Sequence, residues 1–184
     1  MTNRSGGQLL VVDDNGVNRL VLGRYLQQQG HMVAYAENGR QALELLRAQA
    51  FDMMLLDIEM PEMNGYQVLE HVLSDAGLRD IPIIVTSARD EMDSVVKCIQ
   101  MGAEDYLTKP VDQVLLKARI DASLEKKRLR DAQRDLLRKM EAELDFAREI
   151  QRSILPKSKP QVSGLDFGML IEPMESVEIG RAHV

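Results

Sequence analysis

The chain has 184 residues, a formal net charge of −6 and 45% hydrophobic residues, enough for one domain with a full core plus an appendage. The acidic balance argues against a nucleic-acid binder, which would carry a basic face. The lone cysteine, Cys98, excludes an internal disulfide, and no apolar run of about 18 residues is present to span a membrane.

The predicted elements follow in chain order. Gln8 to Val12 is an apolar first strand that stops at Asp13-Asp14-Asn15-Gly16. Adjacent carboxylates repel, so the pair either holds a cation or sits in water as a helix cap. A helix runs from Val17 to Gln29 and ends at Gly30. His31 to Ala36 is the second strand, with His31 read as a surface residue at its entry. Asn38-Gly39 turns into a second helix whose buried side carries Ala42, Leu43, Leu45 and Leu46. The third strand holds the apolar run Met53 to Leu56, which ends abruptly at Asp57. Such a run reads as a strand buried on both faces of a parallel sheet. The chain breaks at Pro61, turns at Asn64-Gly65 and enters a helix over about Tyr66 to Ser74. Ile81 to Thr86 is the fourth strand, followed by Ser87-Ala88. A helix from about Glu91 to Met101 closes at Gly102 and contains Cys98, read as a small core hydrophobe. Asp105 to Thr108 is a short fifth strand before Lys109-Pro110.

Five strands alternating with five helices predict an α/β fold: a five-stranded, doubly wound parallel sheet in the flavodoxin-like order. Right-handed crossovers put every strand's carboxyl end on one edge. That edge then carries Asp13, Asp14, Asp57, Ser87 and Lys109. Converging carboxylates suit a hard cation such as Mg²⁺, which takes oxygen ligands and retains waters. Lys109 supplies a compact positive charge for a phosphoryl group, Ser87 a hydrogen bond, and an aspartate can attack phosphorus to give an acyl phosphate. Singly, each residue has a plainer reading: Asp57 as a loop cap, Tyr106 as a half-buried strand aromatic, and Met53, Met54, Met60 and Met63 as filler. No Gly-rich nucleotide loop follows the first strand.

As a set, Asp13-Asp14, Leu56-Asp57-Ile58-Glu59-Met60-Pro61, Ser87-Ala88 and Tyr106-Leu107-Thr108-Lys109-Pro110 resemble the receiver domain of two-component response regulators, over residues 7–125. The resemblance implies that Asp57 accepts a phosphoryl group from a histidine kinase or a histidine phosphotransfer protein. It implies that Asp14, Asp57 and the backbone carbonyl of Glu59 bind Mg²⁺, with Asp13 acting through water. It further implies that Lys109 pairs with the phosphate, that Ser87 and Tyr106 form a switch pair, and that the Lys109-Pro110 bond is cis. A weaker resemblance, of Asp13-Asp14-Asn15-Gly16-Val17 to the nucleophile loop of haloacid-dehalogenase-type phosphatases, puts Asn15 where that mechanism needs an acid/base aspartate. A receiver acting alone as a protein-binding module is the other alternative.

From Val111 to about Ile154 there is no Gly, and no Pro after Pro110, which predicts one long helix. Leu129, Ala132, Leu136, Met140, Leu144, Ala147, Ile150 and Ile154 recur at steps of three and four, a coiled-coil seam with a stutter at Leu136-Met140-Leu144. A parallel homodimer through residues 111–155 is expected, with residues 126–155 as the signalling helix. The basic run Lys126-Lys127-Arg128 reads as a solvated helix face.

Phe146-Ala147-Arg148-Glu149-Ile150-Gln151-Arg152-Ser153-Ile154-Leu155-Pro156 resembles the lead-in to bacterial PPM-type, sporulation-stage-II-E-like serine/threonine phosphatases, with Gly164-Leu165-Asp166-Phe167 as their first strand. The resemblance implies an output that uses Mn²⁺ or Mg²⁺ and acts on a phosphoprotein such as an anti-sigma-factor antagonist. It also implies that residues 156–177 are the truncated start of that domain, since none of its metal-binding aspartates follows. Residues 178–184 can be reverse-translated as a common sequencing adapter and are expected to be an artefactual tail, so His183 is given no role. The polar start, Met1 to Gly7, lacks the apolar core of a signal peptide, and the expected location is the cytoplasm.

Overall fold

The computed structural model describes residues 6–88, 92–154, 168–173 and 178–183. The chain divides into two compact units, residues 1–129 and 130–184.

The first unit alternates strand and helix: β1 (Gln8–Val12), α1 (Gly16–Gln28), β2 (Met32–Ala36), α2 (Gly39–Ala48), β3 (Met53–Asp57), α3 (Gly65–Ser74), β4 (Ile83–Ser87), α4 (Met92–Met101), β5 (Asp105–Thr108) and the start of α5 (Gln113–Ile154). The sheet order is β2-β1-β3-β4-β5, and every neighbouring pair is parallel. This is the expected flavodoxin-like order.

Alternation along the central strand explains why the sheet is covered on both sides. Met54 and Leu56 join one core with α2 and α3 residues such as Leu43 and Val68. Met53 and Leu55 join the other, with Leu22 and Leu26 of α1 and Leu116, Ile120 and Leu124 of α5. All five β3 residues are buried, and each large apolar side chain so removed from water contributes about 1.5–3 kcal/mol. Cys98 is buried in the first core, as expected, and burial pushes its thiol up to about 11.

Side-chain caps set the helix starts. Asn15 accepts from the Val17 and Asn18 N–H groups. Asn64 and Gln67 form a reciprocal capping box at α3.

Three local readings of the sequence are corrected. His31 is not on the surface: it is 8% exposed, and its Nδ1 accepts the Gly7 N–H at 3.1 Å. Gly30, at φ +89°, turns the chain back so that the His31 N–H closes onto the Leu26 carbonyl; His31 ends the α1 turn, and β2 starts at Met32. The fourth strand begins at Ile83, because the Ile81 N–H is used in a turn to Leu78 and Pro82 has no N–H to give. It runs on to include Ser87.

Helix α5 is unbroken over 42 residues. In the second unit its residues Leu136, Met140 and Leu144 are exposed. β6 (Gly168–Pro173) and β7 (Glu178–His183) pair antiparallel. Pro156 and the strand expected at Gly164 to Phe167 lie outside the described residues. Among the described residues, no helix is long and apolar enough to cross a membrane.

Candidate functional site

Strand register brings the site together. Val12 pairs with Leu56, Asp57 with Thr86 and Ser87 with Thr108, so Asp13, Asp57, Ser87 and Lys109 stand along one edge of the sheet. The backbone then locks their positions: Ile58 N–H donates to the Thr86 carbonyl, and Lys109 N–H donates to the Ser87 carbonyl at 2.7 Å. The Lys109-Pro110 bond is cis.

Asp13 is 1% exposed. Its Oδ1 accepts the Asn15 N–H at 2.8 Å, and its backbone carbonyl accepts from Arg19 Nη1 at 2.6 Å. Asp57 is 2% exposed. Lys109 Nζ lies 2.5 Å from Asp57 Oδ2 and 3.0 Å from Asp13 Oδ2, so one ammonium bridges two carboxylates. The exposed Asp14 completes a group of three carboxylates whose ligand atoms lie within 4.8 Å of one another.

The electrostatics of this group leave room for a cation. Burial raises the Asp57 carboxyl above its ordinary value, and the Lys109 hydrogen bond and charge only partly offset this. Lys109 itself is pushed down by burial, but its bonds and charge interactions with Asp57 and Asp13 prevail and raise it. Three carboxylates against one lysine leave the cluster short of positive charge. Asp57 Oδ1 also lies buried without a well-aligned hydrogen-bond partner. This oxygen-only donor set fits a hard divalent cation that keeps part of its water shell.

Beside the carboxylates is an open cleft of about 670 Å³, lined by Asp14, Asp57, Glu59, Ala88 and Lys109 among others. Ser87 is 1% exposed, and its Oγ has no hydrogen-bond partner. Tyr106 is half-buried and packs against the first core. Its N–H donates to Asp105 Oδ1 at 2.8 Å.

Several contributors were not read from the sequence. Arg19, which props the Asp13 loop and pairs with Glu37, belongs to no motif in the sequence. Tyr66 lines the cleft, and the Lys97 ammonium lies 4.3 Å from its ring centre. Gly65 is a third: a Cβ there would lie 2.4 Å from the Asp57 carbonyl oxygen, so α3 must begin with a glycine to pass beneath the site. Asn15, which a dehalogenase-type mechanism would need as an acid/base aspartate, is engaged instead as the α1 cap.

Comparison with known proteins gives a consistent set of likenesses. The sequence model of the family described as "Response regulator receiver domain" matches residues 9–121. Protein PilH of Pseudomonas aeruginosa is 38% identical over 117 residues, covering 64% of this chain and 97% of that protein. The two-component response regulator ORR5 of Oryza sativa is 36% identical over 104 residues, covering 56% of this chain and 78% of that protein. Among solved structures, the signal receiver domain of a signal transduction histidine kinase from Syntrophus aciditrophicus superposes with a TM-score of 0.62 at 30% identity, covering 65% of this chain and 91% of that one.

Proposed function

Because the chain belongs to the response regulator receiver domain family, we propose that it is a phosphorelay switch in which Asp57 accepts the phosphoryl group. Receiver domains interact with histidine kinases or histidine phosphotransfer proteins, and the donor here is such a phosphohistidine. An Asp57 carboxylate oxygen bonds to phosphorus. The P–N bond breaks, and its electron pair leaves with the imidazole nitrogen. The observation that carries this reading is the single lysine bridging two buried carboxylates, Asp57 and Asp13, at the mouth of an open cleft.

Asp13, Asp14, Asp57 and the Glu59 backbone carbonyl are the groups that would hold Mg²⁺. Bound there, the ion would supply positive charge against the transferring oxygens. Lys109 orients the Asp57 carboxylate beforehand and pairs with the phosphoryl group afterwards. Ser87, whose hydroxyl has no hydrogen-bond partner, supplies a donor to a phosphoryl oxygen. Tyr106 is the partner of Ser87 in the switch.

The output proposed for this switch is a PPM-type protein serine/threonine phosphatase using Mn²⁺ or Mg²⁺. What supports it is the Phe146–Pro156 sequence likeness. The exposed apolar residues Leu136, Met140 and Leu144 support a parallel dimer through α5.

Uptake of labelled phosphate from acetyl phosphate tests the central step. Wild-type chain in Mg²⁺ takes up label. Asp57→Asn and chelator-treated protein do not. Undiminished labelling of Asp57→Asn would refute the assignment.

A further inference from the structure

The geometry points to Arg119 as a positioning residue that latches Tyr106 to α5 and so sets how readily the phosphoryl site switches. This inference rests on the proposed role of Tyr106. Arg119 is the seventh residue of α5. Its guanidinium lies 5.6 Å from the Tyr106 ring centre, within the distance at which a cation is attracted to an aromatic face. The same guanidinium is ion-paired to Asp105 Oδ2 through Nη1. Asp105 Oδ1 meanwhile accepts the Tyr106 backbone N–H. One carboxylate therefore holds the Tyr106 main chain with one oxygen and Arg119 with the other, while Arg119 covers the Tyr106 ring. Helix, strand and side chain form a closed loop of contacts.

That loop sits next to the phosphoryl chemistry. Tyr106 is opposite Val85 in the β4–β5 register. Ser87, two residues further along β4, presents its side chain to the same face as Val85. Its Oγ is buried and without a partner. A shift of Ser87 towards a phosphoryl group changes the space on the face where Tyr106 packs.

The latch is incomplete, which makes it releasable. Arg119 Nε is buried without a hydrogen-bond partner, so the guanidinium is held by the ring and by Asp105 rather than by a full set of acceptors. The same arrangement has Lys109 bonded directly to the Asp57 carboxylate, a contact that a phosphoryl group on Asp57 rearranges. A contact that favours this arrangement lowers the apparent affinity for any group that favours the switched one. Removing the latch should raise that affinity.

The test uses the full 184-residue chain with fluorotyrosine incorporated, and beryllium trifluoride with Mg²⁺ as the phosphoryl mimic. Tyr106→Phe assigns the Tyr106 resonance among the four tyrosines. In wild type the mimic shifts this resonance. In Arg119→Met the resonance before addition lies displaced towards the loaded position, and the mimic binds about 2- to 30-fold more tightly, the range expected for losing one such contact. Arg119→Lys, which keeps a cation, restores the wild-type position. Asp105→Asn, which weakens the ion pair but leaves the guanidinium, gives an intermediate shift and keeps the test available if Arg119→Met does not fold. A wild-type shift combined with unchanged position and affinity in Arg119→Met (or in Asp105→Asn, should that be the folded variant) overturns the latch alone. No shift in wild type on saturation with the mimic overturns the role of Tyr106, and the latch with it.

Discussion

At the scale of single residues, the site is a problem of buried charge. Asp57 and Asp13 are both almost fully buried, which is tolerated because Lys109 bridges them. His31 is the opposite case, a buried base kept neutral. Burial lowers its pKa, against an upward pull from Asp121, and its Nδ1 accepts the Gly7 N–H. The unfolded chain therefore takes up a proton at this residue before the folded one does. Its contribution to stability is present above the ordinary histidine value of about 6.5 and is lost as pH falls through the lower folded value. Urea midpoints measured between neutral and mildly acidic pH should fall in wild type. The fall should be shallower in His31→Gln, which retains an acceptor without the titration. Parallel curves would show that His31 does not contribute to the slope.

At the scale of elements, strand alternation and helix starts account for most of what the sequence made readable. The apolar run Met53 to Leu56 announced a strand covered on both faces, and each of its residues is buried. The pattern of a carboxylate, hydroxyl or lysine after successive strands announced the edge where they meet. Contacts between side chains on different elements were not readable: Arg19 under Asp13, Tyr66 in the cleft wall and Arg119 over Tyr106 carry no periodicity or motif signal. His31 reads as a surface residue because its N–H donor comes within reach only once Gly7 folds over it. Gly65 looked like an ordinary turn glycine, yet its Cβ would also meet Ile58 Cα at 2.8 Å. Gly65→Ala should cost about 1–3 kcal/mol through overpacking, despite alanine's better helix propensity, and should slow phosphoryl uptake by moving Asp57. A stability equal to wild type in chemical denaturation would contradict the contact. In α5, replacing Leu136 and Leu144 by Lys should convert a dimer into monomers in light scattering, with the circular dichroism of the first unit unchanged. A wild-type chain that is monomeric at high micromolar concentration would end the dimer proposal.

At the scale of the whole molecule, the fold exists to hold one carboxylate in a defined setting. Two cores fix β3 from both faces, the neighbouring strands deliver its partners, and α5 is unbroken from Gln113 to Ile154. The proposed switch requires that Asp57 itself carry the phosphoryl group. The most direct measurement is to treat the chain with acetyl phosphate and Mg²⁺, reduce it with borohydride, which converts an aspartyl phosphate into homoserine, and map the peptides by mass spectrometry. Homoserine at position 57 alone is the predicted result. Homoserine at Asp13 or Asp14, or label in a peptide that excludes Asp57, would contradict the account.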